Sequence, residues 1–218
     1  ERSVSERIER VVTSGTFSLD GGCWDVDNNV WIIGNDSSVI IIDPAHDVDK
    51  ISRTVAGRTV EKILLTHAHD DHIRSAKEAA ERFGAPVYLN PADRVLWEMV
   101  YPSWDFDREL ADGDVVRIGE TELTVLATPG HSPGSVCFYA PTLSWENSEG
   151  VVFSGDTLFN GGPGATGRSY SDFDTIIESI STRLLALPES TAVLTGHGDS
   201  TGIGLEAPEL PAWIKRGH

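Results

Sequence analysis

Apolar and polar positions along the 218-residue chain fall into short blocks, and the blocks alternate between two periods. Glu9 to Ser18 predicts a first strand, closed by an Asp20-Gly21-Gly22 turn. Asn29 to Gly34 and Ser38 to Ile42 predict two strands joined by an Asn35-Asp36-Ser37 hairpin turn, and Asp43-Pro44 stops the second. From there strand and helix signals alternate. Asp47 to Ala56 predicts a helix, Val60 to Leu65 a buried strand, and Arg74 to Phe83 a helix with Ala76, Ala79, Ala80 and Phe83 inward and Gly84 as its C-cap. Val87 to Leu89 predicts a strand, and Pro91 to about Val100 a helix. The aromatic, acidic stretch Tyr101 to Asp107 predicts a loop in which Trp104 and Phe106 pack. Val115 to Ile118 and Glu122 to Leu126 pair around Gly119-Glu120. Ser135 to Ala140 and Val151 to Ser154 follow, joined by an exposed loop over Thr142 to Gly150. Ser171 to Leu187 then predicts a helix, Ala192 to Leu194 a strand, and Pro208 to Ile214 a closing helix. The pattern implies an α/β (α+β) chain of one domain, residues 1-218.

Charge narrows the partners. The 17 basic and 34 acidic residues give a formal net charge of −17. Nucleic acid and anionic membrane both select a basic face, so neither is expected as a partner. Cys23 and Cys137 show no paired spacing, and Cys137 lies in an apolar strand as an inert thiol. No disulfide framework is indicated, and a reducing, cytoplasmic setting follows. No run reaches the length of a transmembrane helix, and Glu1 to Val12 is too charged for a signal peptide.

Candidate chemistry gathers at strand ends. Thr66-His67-Ala68-His69-Asp70-Asp71-His72 puts three imidazoles and two carboxylates into one strand-to-helix turn. In extended chain His67 and His69 leave the same face, and Asp71 and His72 enter the next helical turn. These are ligands for a borderline divalent metal such as zinc, iron or manganese, while one of the two Asp residues also suits a helix cap. His131 is gripped between two prolines and two glycines in Thr128-Pro-Gly-His-Ser-Pro-Gly134. Asp156 ends a strand in Ser-Gly-Asp-Thr-Leu-Phe159, and His197 ends another in Thr-Gly-His-Gly198. Asp43 reads equally as a turn residue or as an acceptor orienting a ligand imidazole. His46, just beyond it, is isolated and expected to face solvent. The glycine-rich run Asn160 to Gly167 lacks dinucleotide or P-loop spacing. The ligand set exceeds one tetrahedral metal and suffices for two metals sharing a carboxylate, which points to metal-assisted hydrolysis.

The His-x-His-x-Asp-His motif, followed in order by Pro-Gly-His131, Gly-Asp156-Thr-Leu-Phe and Gly-His197-Gly, resembles the metallo-β-lactamase superfamily over nearly the whole chain, and most of all its glyoxalase II (hydroxyacylglutathione hydrolase) branch. The resemblance implies a four-layer αβ/βα sandwich with the site at one edge between the sheets. It implies that His67, His69 and His131 hold one metal, that Asp71, His72 and His197 hold the other, and that Asp156 bridges, with Asp71 also catalytic in orienting the nucleophile. Two divalent ions, Zn2+ with Fe or Mn as alternatives, are the implied cofactors. The implied substrate is a small-molecule thioester of an S-acyl thiol. Asp156, where lactam-hydrolysing zinc enzymes commonly carry Cys, argues against β-lactams. Gly167-Arg168-Ser169-Tyr170 resembles the glyoxalase II segment that holds the thiol carrier, so Arg168 and Tyr170 are candidate substrate contacts or loop residues. Arg74-Ser75 replaces the usual Gly-Gly after the first motif, and 21 residues follow His197, too few for the glutathione-binding helices of long glyoxalase II enzymes. A different carrier such as mycothiol is therefore open. A mononuclear iron persulfide dioxygenase and a lactonase of the same fold are the alternative readings.

Overall fold

The structure is a computed structural model that describes residues 5–218; the first four residues of the Glu1–Val12 stretch lie outside it. The chain runs β1 (Arg7–Leu19), β2 (Gly22–Gly34), β3 (Ser38–Ile42), α1 (Val48–Val55), β4 (Thr59–Leu64), α2 (Asp70–Ile73), α3 (Ala76–Phe83), β5 (Val87–Leu89), α4 (Arg94–Val100) and β6 (Arg108–Glu109). It continues with β7 (Val115–Ile118), β8 (Thr121–Ala127), β9 (Val136–Ala140), β10 (Val151–Gly155), β11 (Leu158–Phe159), β12 (Gly162–Pro163), α5 (Phe173–Ser179), β13 (Ala192–Thr195), β14 (Thr201–Gly202), α6 (Ile203–Glu206) and α7 (Leu210–Arg216). Two six-stranded sheets result, ordered β1-β2-β3-β4-β5-β6 and β14-β13-β10-β9-β8-β7.

Strand alternation sorts the side chains into layers. On β2 and β3, Val30, Ile32, Val39 and Ile41 point to a core shared with α1, α3 and α4, where Ile51, Val55, Ala76, Ala79, Leu96 and Trp97 are buried. The intervening Trp31, Ile33, Ile40 and Ile42 point the other way and meet Val125, Val136, Phe138, Val151 and Phe153 of the second sheet. Cys137, Val152 and Val193 turn outward again, under Ile176, Ile180 and Leu184 after β12 and under Trp213 of α7. Helices, sheet, sheet, helices is the four-layer order expected. Continuous apolar runs such as Val39–Ile42 read as strands buried on both faces because they are.

Several boundaries differ from the pattern-based reading. β1 and β2, thirteen residues each, form an antiparallel hairpin in which Leu19 faces Gly22 across Asp20-Gly21, both at positive φ (52° and 78°). The second strand thus starts at Gly22, not Asn29, because Cys23 to Asp27 pair as backbone without burying an apolar face. The helix predicted over Arg74 to Phe83 is found as α3, starting two residues later after Ser75, and the histidine motif forms a separate single turn, α2, ahead of it. The Pro91 helix starts as a 3-10 turn, Pro91–Asp93, and the predicted 171–187 helix is α5 running into a wider π turn over Ile180–Leu184. The closing helix sits two residues later than expected, as α7. Within the loop after α4, Trp104 and Phe106 pack on Trp97, at ring-centroid distances of 5.1 and 5.5 Å. His46 is buried rather than solvent-facing; its ring fills the space above Gly15, where a Cβ would lie 2.2 Å from its Cδ2. Cys23 is exposed, Cys137 is buried, and both are free; burial pushes the Cys137 thiol up to about 11. Among the described residues no helix is long and apolar enough to cross a membrane.

Candidate metal centre

Every histidine and acid of the motifs arrives at one edge of the sandwich because each sits just past a strand of one sheet or the other. The turn after β4 supplies His67, His69, Asp71 and His72. The β8–β9 turn supplies His131, the end of β10 supplies Asp156, and the end of β13 supplies His197. Three groups of potential ligand atoms, each mutually within 4.8 Å, emerge: His67, His69 and His131; Asp71, His72, Asp156 and His197; and, behind them, Asp43 with His67 and His72. Asp156 lies between the first two. Its Oδ2 is 3.1 Å from His72 Nε2 and 3.2 Å from His197 Nε2 on one side, and 3.5 Å from His131 Nε2 and 3.7 Å from His67 Nε2 on the other. Asp71 Oδ2 is 3.1 Å from His197 Nε2 and 3.4 Å from His72 Nε2.

Hydrogen bonds behind the rings fix which nitrogen faces inward. His131 Nδ1 is 2.7 Å from the Ala165 carbonyl, and His197 Nδ1 is 2.8 Å from the Asp27 carbonyl. A carbonyl only accepts, so these Nδ1 atoms carry the proton and Nε2 points into the cluster. His72 Nδ1 stands 2.8 Å from Asp43 Oδ2 with the same consequence. Thr66 Oγ1 donates to that carboxylate at 2.6 Å and so accepts from His67 Nδ1 at 2.9 Å. Asp43, at positive φ (53°), is therefore both the turn residue and the acceptor that orients two imidazoles. His69 differs: its Nδ1 is 3.0 Å from His131 Nε2.

The donor set fits metal ions. Buried His67 Nε2 and Asp156 Oδ1 have no hydrogen-bond partner, a costly state for polar atoms unless something else satisfies them. Charge balance agrees. Burial opposes protonation of His72, yet Asp156, Asp71 and Asp43 around it outweigh burial and hold it well above the usual imidazole range. Burial likewise opposes charge on His197, but Asp156 raises it to about 10. Burial drives His67 well down, and drives His69 down to about 3. The carboxylates call for positive charge at the cluster centre, and the neutral imidazoles offer lone pairs beside it. His67, His69 and His131 would hold one ion and Asp71, His72 and His197 another, with Asp156 able to touch both.

A cavity of about 240 Å³ opens onto the cluster. Phe17, Trp24 and Val26 of the β1–β2 hairpin line it with Phe159, Ala165 and Arg168, and His69, Asp71, His131, Asp156 and His197 form its floor. The Arg168 guanidinium lies 4.8 Å over Trp24 and 5.4 Å over Phe17. A wider groove of about 480 Å³ along Ser14–Thr16 and Asp25–Asp27 touches none of these ligands. Tyr170 corrects an expectation: it is half exposed, at positive φ (67°), and does not line the cavity. Asp70 is not a helix cap. It accepts from Ser18 N at 2.9 Å and pairs with Arg74, which ties the hairpin to the motif.

Two supporting residues carry no sequence signal. Asn28 on β2 donates to Asp71 Oδ2 at 3.0 Å. Asp93 is completely buried and receives backbone or hydroxyl donors from both histidine turns.

A family model described as the metallo-beta-lactamase superfamily matches residues 23–197. The chain belongs to this superfamily. It is 34% identical to a probable metallo-hydrolase, YqgX, of Bacillus subtilis, over 84% of this chain and 90% of that protein. It is 30% identical to the hydroxyacylglutathione hydrolase GloC of Haemophilus influenzae, over 81% and 88%. Among solved structures it is similar to the BLEG-1 B3 metallo-beta-lactamase, with TM-score 0.75 and 31% identity over 92% of this chain and 99% of that one. It is also similar to TTHA1623 in a di-iron-bound form, with TM-score 0.69 and 33% identity over 88% and 96%. The superfamily fold and a metal-binding His/Asp cluster are thus features of this chain, and it is a metallo-hydrolase in the superfamily's sense.

Proposed function

We propose that the protein is a dinuclear metal hydrolase that cleaves the thioester of an S-acyl low-molecular-weight thiol. The observation that carries the reading is the placement of Asp156 between two ligand groups at the floor of a cavity whose mouth holds a cation, Arg168. The similarity to a hydroxyacylglutathione hydrolase supports thioester chemistry. When bound, two divalent ions supply Lewis acidity to the carbonyl oxygen and bring the pKa of a water toward neutrality. Zn2+ is the ion we propose, and the di-iron relative keeps iron, with manganese, as the alternative.

The chain's own residues do the rest. Asp71, fixed by Asn28, turns its carboxylate to the cavity and orients the attacking water toward the acyl carbon. Asp43 holds His72 directly and His67 through Thr66, so neither ring reorients during turnover. Phe17, Trp24 and Phe159 keep bulk water from the acyl group. Arg168 spends no side-chain hydrogen bond on protein among the described residues, stays stacked on Trp24 and Phe17, and binds an anionic group of the thiol carrier. The partner is a small molecule, with no nucleic acid or membrane surface. Two free cysteines suit a reducing cytoplasm, where such thiols are abundant.

The deciding experiment measures metal per chain in protein purified without chelators, then assays a panel containing S-lactoyl thioesters of two thiol carriers, a homoserine lactone and a chromogenic cephalosporin. Two ions per chain, to within about a quarter, and thioester hydrolysis are expected. His67→Ala/His72→Ala removes a ligand from each group and abolishes both metal and turnover; retention of activity sinks the reading. One iron per chain with oxygen uptake on a thiol persulfide replaces it with the dioxygenase. Lactone or lactam turnover with inert thioesters replaces it with the corresponding hydrolase.

A further inference from the structure

Asp93 sits where the 3-10 turn Pro91–Asp93 meets α4, outside every ligand motif. It occupies the N-cap position of α4, but its carboxylate caps nothing there. Burial pushes its carboxyl up, against three donors that stabilise the charge. All three come from the histidine turns. Asp93 Oδ2 accepts from Ala68 N, between His67 and His69, at 2.8 Å, and from Ser132 Oγ, next to His131, at 2.8 Å. Oδ1 accepts from Gly134 N at 2.5 Å. Gly134 must be glycine for this approach, since a Cβ there would stand 2.7 Å from Asp93 N. Ser132 Oγ is in turn 2.7 Å from Ser135 Oγ. One carboxylate thus joins the turn after β4 of the first sheet to the β8–β9 turn of the second.

We propose that Asp93 is the positioning residue for the three-histidine half of the metal centre. It sets His67 and His69 against His131 across the seam between the sheets, while Asn28 and Asp43 serve the Asp71, His72 and His197 half, Asp43 also reaching the His67 ring through Thr66. Asp43 reaches only the first turn and the Ala165 carbonyl only His131; apart from Asp93, the two segments meet through the Val136 N–H donating to the Thr66 carbonyl at 2.8 Å and through the His69–His131 contact itself. Asn at position 93 keeps the size and one acceptor but turns an amide N–H toward a donor. The two turns then separate, and the His69 Nδ1 to His131 Nε2 spacing of 3.0 Å is lost.

The inference rests on the metal-hydrolase reading, and its test separates the two. Zn2+ affinity is measured by competition with a chromophoric chelator in the wild type, Asp93→Asn and Ser132→Ala. Asp93→Asn weakens one of the two equivalents by about 10- to 100-fold and leaves the other unchanged, as loss of an outer carboxylate does at other metal sites. Ser132→Ala, which removes one donor of three and leaves the fold intact, weakens the same equivalent by less. In metal-free protein, imidazole NMR resonances of His67, His69 and His131 move in both variants while those of His72 and His197 stay. Equal weakening of both equivalents, no weakening, or an unmoved His131 signal in Ser132→Ala overturns the assignment, even if Asp93→Asn fails to fold. A wild type that binds no metal defeats the hydrolase reading instead, and the NMR comparison still judges Asp93.

Discussion

At the scale of single residues the centre is a study in what a neighbour does to an imidazole. Asp43 does not line the cavity over the cluster, yet it holds Thr66 through both carboxylate oxygens and His72 through one. Replacing Asp43 with Asn leaves shape nearly intact but offers an N–H where Oδ2 accepted, so His72 loses its fixed tautomer. We expect kcat/KM to fall about 10- to 100-fold and the affinity for the second ion to fall in parallel, measured by chelator competition. Unchanged metal affinity would reduce Asp43 to a turn residue. Arg168 and Tyr170 separate in the same way. Arg168 reaches the cavity and Tyr170 does not. Arg168→Ala is expected to raise KM for a thioester with an anionic carrier about tenfold, the loss of one charge-assisted bond, with kcat little changed. Tyr170→Phe is expected to alter neither. A kcat loss in Tyr170→Phe would return the phenol to the chemistry.

At the scale of elements the seam between the sheets is tied at its far side by Glu6. Its carboxylate accepts from Glu120 N and Thr121 Oγ1 at 2.9 Å in the β7–β8 turn, from Ser5 Oγ at 2.7 Å, and from Asn35 Nδ2 at 3.3 Å. Burial works against its charge, but these donors outweigh burial and lower its pKa below the ordinary 4.5. The folded state therefore binds this proton less readily than the unfolded chain. The tie contributes fully above pH about 4.5 and is lost as pH falls through the lower folded value. Glu6→Ala should lower the melting temperature of metal-free protein at pH 7 by a few degrees, for about 1–3 kcal/mol, and by progressively less toward pH 3. A constant difference across that range would show that the ionised form is not what matters. The elements themselves were legible wherever apolar side chains set the pattern: β3, β4, β8 to β10 and β13 are buried and read as strands from sequence. The outer half of the β1–β2 hairpin was not legible, because Cys23 to Asp27 are held by pairing and hold Phe17 and Trp24 over the site without a buried face of their own. The ligand residues were legible because their types cluster at strand ends. Asn28 and Asp93 were not, since each is a lone polar residue whose partners lie 43 and 25 to 41 positions away. The burial of His46 is hidden for the same reason: isolation in sequence says nothing of the Gly15 backbone that makes room for its ring.

At the scale of the whole molecule a tension remains between charge and substrate. The chain carries a formal −17, and a thiol carrier with a carboxylate is itself an anion at neutral pH. Among the residues lining the cavity Arg168 is the sole Lys or Arg, and Asp71 and Asp156 share the floor. The field of the protein as a whole therefore opposes the approach of such a substrate, and the local cation acts only within the last few ångströms. Screening separates the two ranges. At about 0.01 M ionic strength the Debye length is about 30 Å and the global repulsion reaches the approaching anion. At about 0.15 M it is about 8 Å, so the repulsion is damped while the contact with Arg168 persists. Raising salt over that interval should therefore increase kcat/KM for an anionic S-acyl thiol, through KM, and leave a neutral thioester unaffected. In Arg168→Ala the increase should remain, because it arises from the remote charges and not from the arginine. A fall in kcat/KM with salt in the wild type, abolished in Arg168→Ala, would show instead that the local cation already governs encounter, and that the acidic surface lies too far from the mouth to matter.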